Sequence, residues 1–456
     1  MFFTAMNFRL PLITLAALFC LATPALQAAT AEYRAGVATV DITPREPIRL
    51  SGYASRTKPM DGVLTPIHTK ALAISRGRKE RVLIITTDLI GLPRTITDVV
   101  AARLLQKYGL ERAEILFNSS HTHTAPYVKS NLSLLFDFPP AEQVTVDAYA
   151  ERLQDALVEV ASRSLLDLSP ATLASAHGAV HFGVNRRKPG PNGFTIGVNP
   201  DGPVDNDVPI LRVTGADGKV KAILFGYACH NTTLTGENNV VSGDYAGFAQ
   251  EAIENANPGA TALFLMLCGA DQNPNPRGTG ALAKQHGEAL AAEVGKALAA
   301  TTPVRGTIKT AFRLVELEFE ANDRSTFEGR LKDKNPYVVR HAKAMLARMD
   351  NGQPIRRYAY PVQAMSFGGK FTVVALGGEV VIDYDLAIKK AYPGAGVVVA
   401  GYSNDVMAYI PSRRVLKEGG YEAWDSMLYY GLPASWAQNT EEKIMATVAT
   451  VMKATR

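Results

Sequence analysis

The run Ala113-Glu114-Ile115-Leu116-Phe117-Asn118-Ser119-Ser120-His121-Thr122-His123 passes from a nearly continuous apolar segment into a polar turn that ends in His-x-His. Short unbroken apolar runs bounded by turn residues are the mark of strands covered on both faces. The same form recurs at residues 81–87, 222–225, 262–266 and 396–400. Between these runs, Tyr149, Leu153, Leu157 and Val160 repeat at helical spacing, as do Leu282, Leu290, Val294 and Leu298, which predicts long covering helices. The fold class that follows is α/β, with a mixed central β-sheet and helices on each side of it.

The chain has 456 residues, 47% hydrophobic and 20% charged, a mixture that builds a large core and excludes a disordered or fibrous protein. Its 48 basic and 43 acidic residues leave a net charge of +5, too thin and too scattered for a nucleic-acid footprint. At the start, Arg9, the apolar run 10–21 and Ala25-Leu26-Gln27-Ala28 read as a signal peptide over residues 1–28, which predicts an exported protein, periplasmic or secreted. The run is too short to span a bilayer, and no stable membrane anchor is expected. Residues 29–456 hold no low-complexity linker and are expected to form a single catalytic domain. Cys229 and Cys268 each close an apolar run, where a buried free thiol is ordinary and one disulfide is the alternative. The Pro/Gly-rich stretch 188–209 reads as a loop, and the basic stretch 332–357 as a solvated helix ending at the Asn351-Gly352 turn.

Four apolar runs end in turns that carry ligand-type side chains: His121 and His123, His230, Glu379, and Tyr409. Loops beyond strand ends gather over one edge of an α/β sheet, so these four have the means to meet at one ion. Two imidazoles and a carboxylate are the donor set of a catalytic zinc site with an open position, and a tyrosine beside the ion completes the shell or stabilises negative charge. In an extended segment the rings of His121 and His123 point to opposite faces, which leaves His123 as a second ligand or, more in keeping with that spacing, as an acid/base. Asp244 and Asp271, in Gly-rich turns, are candidates for orienting the ligand histidines.

These segments resemble the neutral ceramidases, zinc amidases that cut the N-acyl bond of ceramide. The resemblance rests on Val37-Ala38-Thr39-Val40-Asp41-Ile42-Thr43-Pro44 with Ser51-Gly52-Tyr53, on Ser120-His121-Thr122-His123-Thr124-Ala125-Pro126, on Val184-Asn185-Arg186, on His230 with Ser242-Gly243-Asp244, and on Gly378-Glu379, Tyr409 and Tyr421-Glu422. It implies a neutral-ceramidase-like zinc hydrolase fold in which His121, His230, Glu379 and Tyr409 hold Zn2+, while His123, Arg186 and Tyr421 act on substrate and transition state. Two departures stand out. Where the family has Gly-Asp-Val-Ser-Pro-Asn, this chain has Ala270-Asp271-Gln272-Asn273-Pro274-Asn275, so Asn273 replaces a serine proposed as a nucleophile. The chain also ends about 35 residues after Tyr421, without the family's C-terminal immunoglobulin-like domain. An amide cannot stand in for a hydroxyl as nucleophile, so the expected reaction is hydrolysis by a metal-activated water, on a small or lipid-like N-acyl substrate. Leu134, Leu135, Phe136 and Phe138 are candidates for an apolar lip around its acyl chain. Hydrolysis of an ester, lactone or glycoside on the same fold, and a catalytically silent periplasmic binding protein, are the alternatives.

Overall fold

The computed structural model describes residues 1–5 and 31–456. The signal-peptide reading, with Arg9, falls almost wholly on residues 6–30, outside the described residues. Residues Ala31–Arg456 form one compact unit. Its larger sheet contains β1 (Tyr33–Asp41), β2 (His68–Arg76), β3 (Glu80–Thr87), β4 (Ile115–Ser119), β5 (Ser169–Ala179), β6 (Asp207–Gly215), β7 (Val220–Tyr227), β8 (Thr261–Met266) and β9 (Thr302–Val304). Their spatial order is β8-β7-β6-β5-β1-β2-β3-β4, with β9 added to β5. The pairs are antiparallel except at the two edges, where β7 runs parallel to β8 and β3 parallel to β4. A second sheet holds β10 (Ile308–Glu318), β11 (Arg357–Phe367), β12 (Phe371–Leu376) and β13 (Val397–Ala400), with β12 and β13 parallel.

The mixed sheet flanked by helices is present, but the five apolar runs divide between two sheets rather than lying in one. Side chains alternate between the faces of each strand. One set, with Leu72, Ile84, Leu116, Leu224 and Leu265 of the large sheet, packs against Phe367, Val373 and Val398 of the small one. The other face of the large sheet is covered by α1 (Arg94–Tyr108) and α2 (Pro140–Leu166) at one side and by α3 (Asp244–Ala256) and α4 (Gly280–Ala297) at the other. The outer face of the small sheet is covered by α6 (Ile382–Ala391) and α7 (Thr440–Ala454). The molecule is therefore layered helix, sheet, sheet, helix. Near-continuous apolar strands are needed in both sheets because each has both faces buried, which is why sequence pattern could not tell one sheet from the other.

Two further readings are refined. Residues 188–209 are mostly an antiparallel hairpin, Gly183–Gly190 with Gly193–Asn199, closed by the Pro191-Asn192 turn. Apart from Gly197, its glycines and prolines lie in the turn and at or next to the strand ends, while Phe194, Ile196 and Val198 keep the alternation of a strand. The basic stretch does contain a helix, α5 (Pro336–Asp350), followed by the Asn351-Gly352 turn, but its Ala342, Met345 and Leu346 pack on Phe327. Cys229 and Cys268 are both free and buried. No helix among the described residues is long and apolar enough to cross a membrane.

The two edges of the large sheet meet. Asn118, fully buried near the end of β4, donates to the Met266 carbonyl of β8 at 3.1 Å and accepts from the Met266 N–H at 2.8 Å. The same amide donates to the Gly401 carbonyl just beyond β13 at 2.9 Å. One side chain thus ties together the ends of all three parallel pairs. Asn118→Ala leaves buried backbone groups without partners, each costing about 1–3 kcal/mol. Equilibrium unfolding in urea is expected to show a loss of roughly 3 kcal/mol or more; a variant as stable as the parent would show that the edges are held by packing alone.

Candidate metal centre

Each parallel pair delivers a candidate ligand just past its strand ends. His121 follows β4, and its Nδ1 donates to the Ile90 carbonyl, beyond the neighbouring β3, at 2.6 Å. His230 follows β7, and its Nδ1 donates to the Gly269 carbonyl, beyond the neighbouring β8, at 2.7 Å. Glu379 follows β12 and pairs in parallel register with Tyr409, which follows β13. The two rings are thus oriented by backbone carbonyls, and not by the aspartates expected to do so. Asp244 instead accepts from the Leu234 and Tyr245 N–H groups, and Asp271 from Ile382 N–H and the Asn185 amide.

A neutral imidazole carries one proton, and both Nδ1 atoms use it. The Nε2 atoms of His121 and His230 are therefore lone pairs, and they lie 3.0 and 3.2 Å from Glu379 Oε2. That oxygen is buried and has no hydrogen-bond donor among the described residues, whereas Oε1 accepts from the Tyr430 hydroxyl. Burial, with Arg186 and His121 nearby, pushes His230 down to about 3. His121 Nε2, His230 Nε2 and Glu379 Oε2 are turned inward on one buried point, a composition that a divalent cation satisfies and that is costly without one. The residues present therefore fit a metal ion. Tyr409 Oη is 3.3 Å from His230 Nε2 and accepts from Arg186 Nη2 at 2.9 Å, which places a neutral phenol, its ionisation suppressed by burial, against the same point.

His123 departs from the expected alternation. His121 has φ 62°, a left-handed conformation rare for a residue with a Cβ. This turns the chain after one residue, so His121 and His123 face the same space with their Nε2 atoms 3.0 Å apart. His121, His123 and His230 form a buried three-histidine group. Burial, then the two neighbouring histidines, hold His123 well below its ordinary range, and its Nδ1 has no partner among the described residues.

Arg186 is not a surface charge. A bulge between Asn185 and Arg187 interrupts the alternation of the hairpin strand, and Arg186 and Arg187 are both buried as a result. Glu422 accepts from Arg186 Nε at 2.8 Å and from Arg187 Nη1 at 2.5 Å. Arg186 Nη1 donates to Asn273 Oδ1 at 3.3 Å. Tyr421 lies with its ring centroid 5.4 Å from that of Tyr409 and 5.9 Å from the Arg186 guanidinium carbon, while Trp424, three residues on, is exposed. All seven candidate residues thus come from six segments into one region, and all but the fully buried His230 line a cavity of about 270 Å3 with Leu132, Leu135 and Asn273. Of the expected apolar lip only Leu135 is in that wall; Phe136 and Phe138 pack with Tyr127 under Arg49. Tyr430, Glu422 and Gly52 are participants that sequence reasoning did not single out for a role. Tyr430 carries no local signal, being 51 residues from the carboxylate it contacts.

With this geometry established, comparison with known proteins is specific. The family model described as neutral/alkaline non-lysosomal ceramidase, N-terminal, matches residues 33–279. The chain belongs to this family. Neutral ceramidase of Mycobacterium tuberculosis is 23% identical over 463 residues, covering 82% of this chain and 71% of that protein. Neutral ceramidase of Pseudomonas aeruginosa is 25% identical over 262 residues, 53% of this chain and 37% of that protein. The crystal structure of the Pseudomonas aeruginosa neutral ceramidase shares the fold over 94% of this chain and 76% of that one, with TM-score 0.69 and 19% identity. A ceramidase complexed with C2 gives TM-score 0.71 at 18% identity, over 93% and 76%. The family match stops before Glu379, Tyr409 and Tyr421, so in this ceramidase-family chain it is the fold that brings the C-terminal third of the site to the N-terminal two.

Gly52 has φ 88°, and a Cβ there would stand 2.4 Å from His123 Nδ1. Gly52→Ala is expected to displace His123 without touching His121, His230 or Glu379: turnover falls by about tenfold or more while metal content by elemental analysis is unchanged. Loss of metal together with activity would make His123 a ligand.

Proposed function

We propose that the chain is an exported, zinc-dependent amidohydrolase, a single catalytic unit over residues 29–456, that cleaves the amide bond of an N-acyl substrate, ceramide-like or smaller. Its class, a hydrolase acting on amide bonds, is that of its family. The observation that carries the metal reading is the meeting of His121 Nε2 and His230 Nε2 with Glu379 Oε2, at 3.0 and 3.2 Å, with His121 and Glu379 in the cavity wall and His230 buried beside them. His121, His230, Glu379 and Tyr409 would hold the ion. When bound, it supplies Lewis acidity toward the scissile carbonyl and acidifies water at its open position.

The remaining work falls to side chains of the cavity. His123 is neutral and within reach of the same point, so it takes a proton from the attacking water and returns it to the leaving nitrogen. Tyr421 keeps its phenol protonated, pushed up by burial, and donates to no described protein group, which leaves it to stabilise oxygen as negative charge develops. Arg186 fixes the Tyr409 hydroxyl by donation and is itself fixed by Glu422. Asn273 is a positioning amide and not a nucleophile. Leu132, Leu135 and Tyr429 supply apolar surface for an acyl chain, and the cavity is smaller than a long-chain two-tailed lipid needs, which favours N-acyl compounds more soluble than long-chain ceramide.

Purified protein is expected to carry about one zinc per chain, and the His121→Ala/Glu379→Ala protein to carry none and to hydrolyse no amide. Stoichiometric zinc in that double variant would remove the proposed centre. His123→Ala and Tyr421→Phe should each lower turnover by roughly a hundredfold with zinc retained, against a modest loss for Asn273→Ala. Mass spectrometry after rapid quenching should find no acylated side chain; an acyl-enzyme would overturn the water mechanism.

A further inference from the structure

Of the residues that line the cavity, only Glu379 is acidic, and it is committed to the two imidazoles and Tyr430. Two are permanently cationic, Arg186 and Arg277. Arg186 is neutralised by Glu422. Arg277 is not: no carboxylate lies within salt-bridge distance of it among the described residues, and its single side-chain hydrogen bond is from Nη2 to the Tyr53 hydroxyl at 3.1 Å. A guanidinium has five N–H donors, so most of this one's capacity is unspent.

The loop that carries Arg277 is held on both sides. Gly278 N–H donates to the Thr233 carbonyl at 2.7 Å, and His286 Nε2 to the Pro276 carbonyl at 2.8 Å. The guanidinium is thus presented from a fixed backbone, half-buried, which limits the entropy lost when it engages a ligand. Asn273 lines the same wall. Its Oδ1 accepts from both Arg186 Nη1, at 3.3 Å, and Thr232 Oγ1, at 3.2 Å. That double use fixes the amide so that Nδ2 is the free end, and it has no acceptor among the described residues. The polar wall of the cavity therefore offers a cation without a counter-charge and an amide donor without an acceptor among the described residues, close to Tyr53, whose ring packs 5.0 Å from that of His123.

We infer that Arg277, with the Asn273 amide, recognises an anionic group on the amine part of the substrate, so that the preferred class is N-acyl amino acids or their sulfonate counterparts rather than neutral N-acyl amino alcohols. The inference rests on the amidase reading for the N-acyl part of the ligand: the acyl chain takes the apolar lining, and the polar wall is left for the amine side. A carboxylate or sulfonate matches the planar fork of arginine and accepts from Asn273 Nδ2 as well, whereas a neutral hydroxyl leaves the cation without a counter-charge.

The test is kcat/KM of the zinc-loaded full chain for N-dodecanoylglycine, N-dodecanoyltaurine and N-dodecanoylethanolamine, which share an acyl chain and differ in head group. At least one anionic amide is expected to exceed the ethanolamide by tenfold or more, the glycine and taurine arms separating carboxylate from sulfonate. In Arg277→Met that ratio should fall toward one, mainly through KM, and Arg277→Lys should restore part of it. Preference for the ethanolamide, or a ratio unmoved by Arg277→Met, overturns the inference. Calorimetric titration of N-dodecanoylglycine into His123→Ala, with and without Arg277→Met, reads binding without turnover. An Arg277-dependent Kd with no amide cleaved by the parent protein would sink the amidase reading and leave the anion site standing; cleavage of all three amides with no Arg277 dependence would do the reverse.

Discussion

The buried amide of Asn118 is the contact on which the rest of the site depends. It joins β4 to β8 through both its donor and its acceptor, and reaches the turn beyond β13 with its second N–H. A large sheet whose edges stayed apart would leave His121 and His230 at opposite sides of the molecule, because β4 and β8 are its two terminal strands. Closing it sets the carboxyl ends of two parallel pairs side by side. The third parallel pair, in the second sheet, supplies Glu379 and Tyr409 over the same point. Parallel pairing matters here because it sends neighbouring chains out of the sheet at the same end, so a ligand after one strand finds a carbonyl after its neighbour to fix its ring.

The electrostatic logic of the cavity is one of unequal compensation. Arg186 and Arg187 are buried at the base of the hairpin and share the carboxylate of Glu422, while Arg187 also pairs with Glu418 at 3.1 Å. Such a network is expensive to desolvate and gives orientation in return, which suits a guanidinium that must hold the Tyr409 hydroxyl at a set distance. Among the described residues, the three acceptors at the centre and the half-buried Arg277 have no carboxylate or donor to match them. Unmatched charge in a formed cavity is where ligand free energy comes from, since a metal or an anion gains there what the fold has left undone.

Much of the secondary structure was legible. The apolar runs at 81–87, 222–225 and 262–266 fall in β3, β7 and β8, and the two helical patterns in α2 and α4, because segments buried on a long face carry their own periodicity. Three things were not. The hairpin at 183–199 was hidden by prolines and glycines, most of which belong to its turn and ends. The shared orientation of His121 and His123 depends on one left-handed residue, a conformation that no side-chain pattern announces. The roles of Tyr430 and Glu422 depend on segments that approach only after the chain has folded.

By itself the sequence determined the kinds of atom available for chemistry and their place at strand ends, since strand and turn are local matters of burial and backbone preference. It also excluded Asn273 as a nucleophile, because that follows from the side chain alone. Tertiary structure decided which of those strand ends meet, that the apolar strands divide between two sheets rather than lying in one, which rings are fixed by carbonyls, and which arginine of the cavity is left without a counter-ion. Each of these is a relation between groups far apart in the chain, and only the closure of the large sheet and the packing of the second sheet against it bring those groups within the few ångströms over which hydrogen bonds and ion pairs act.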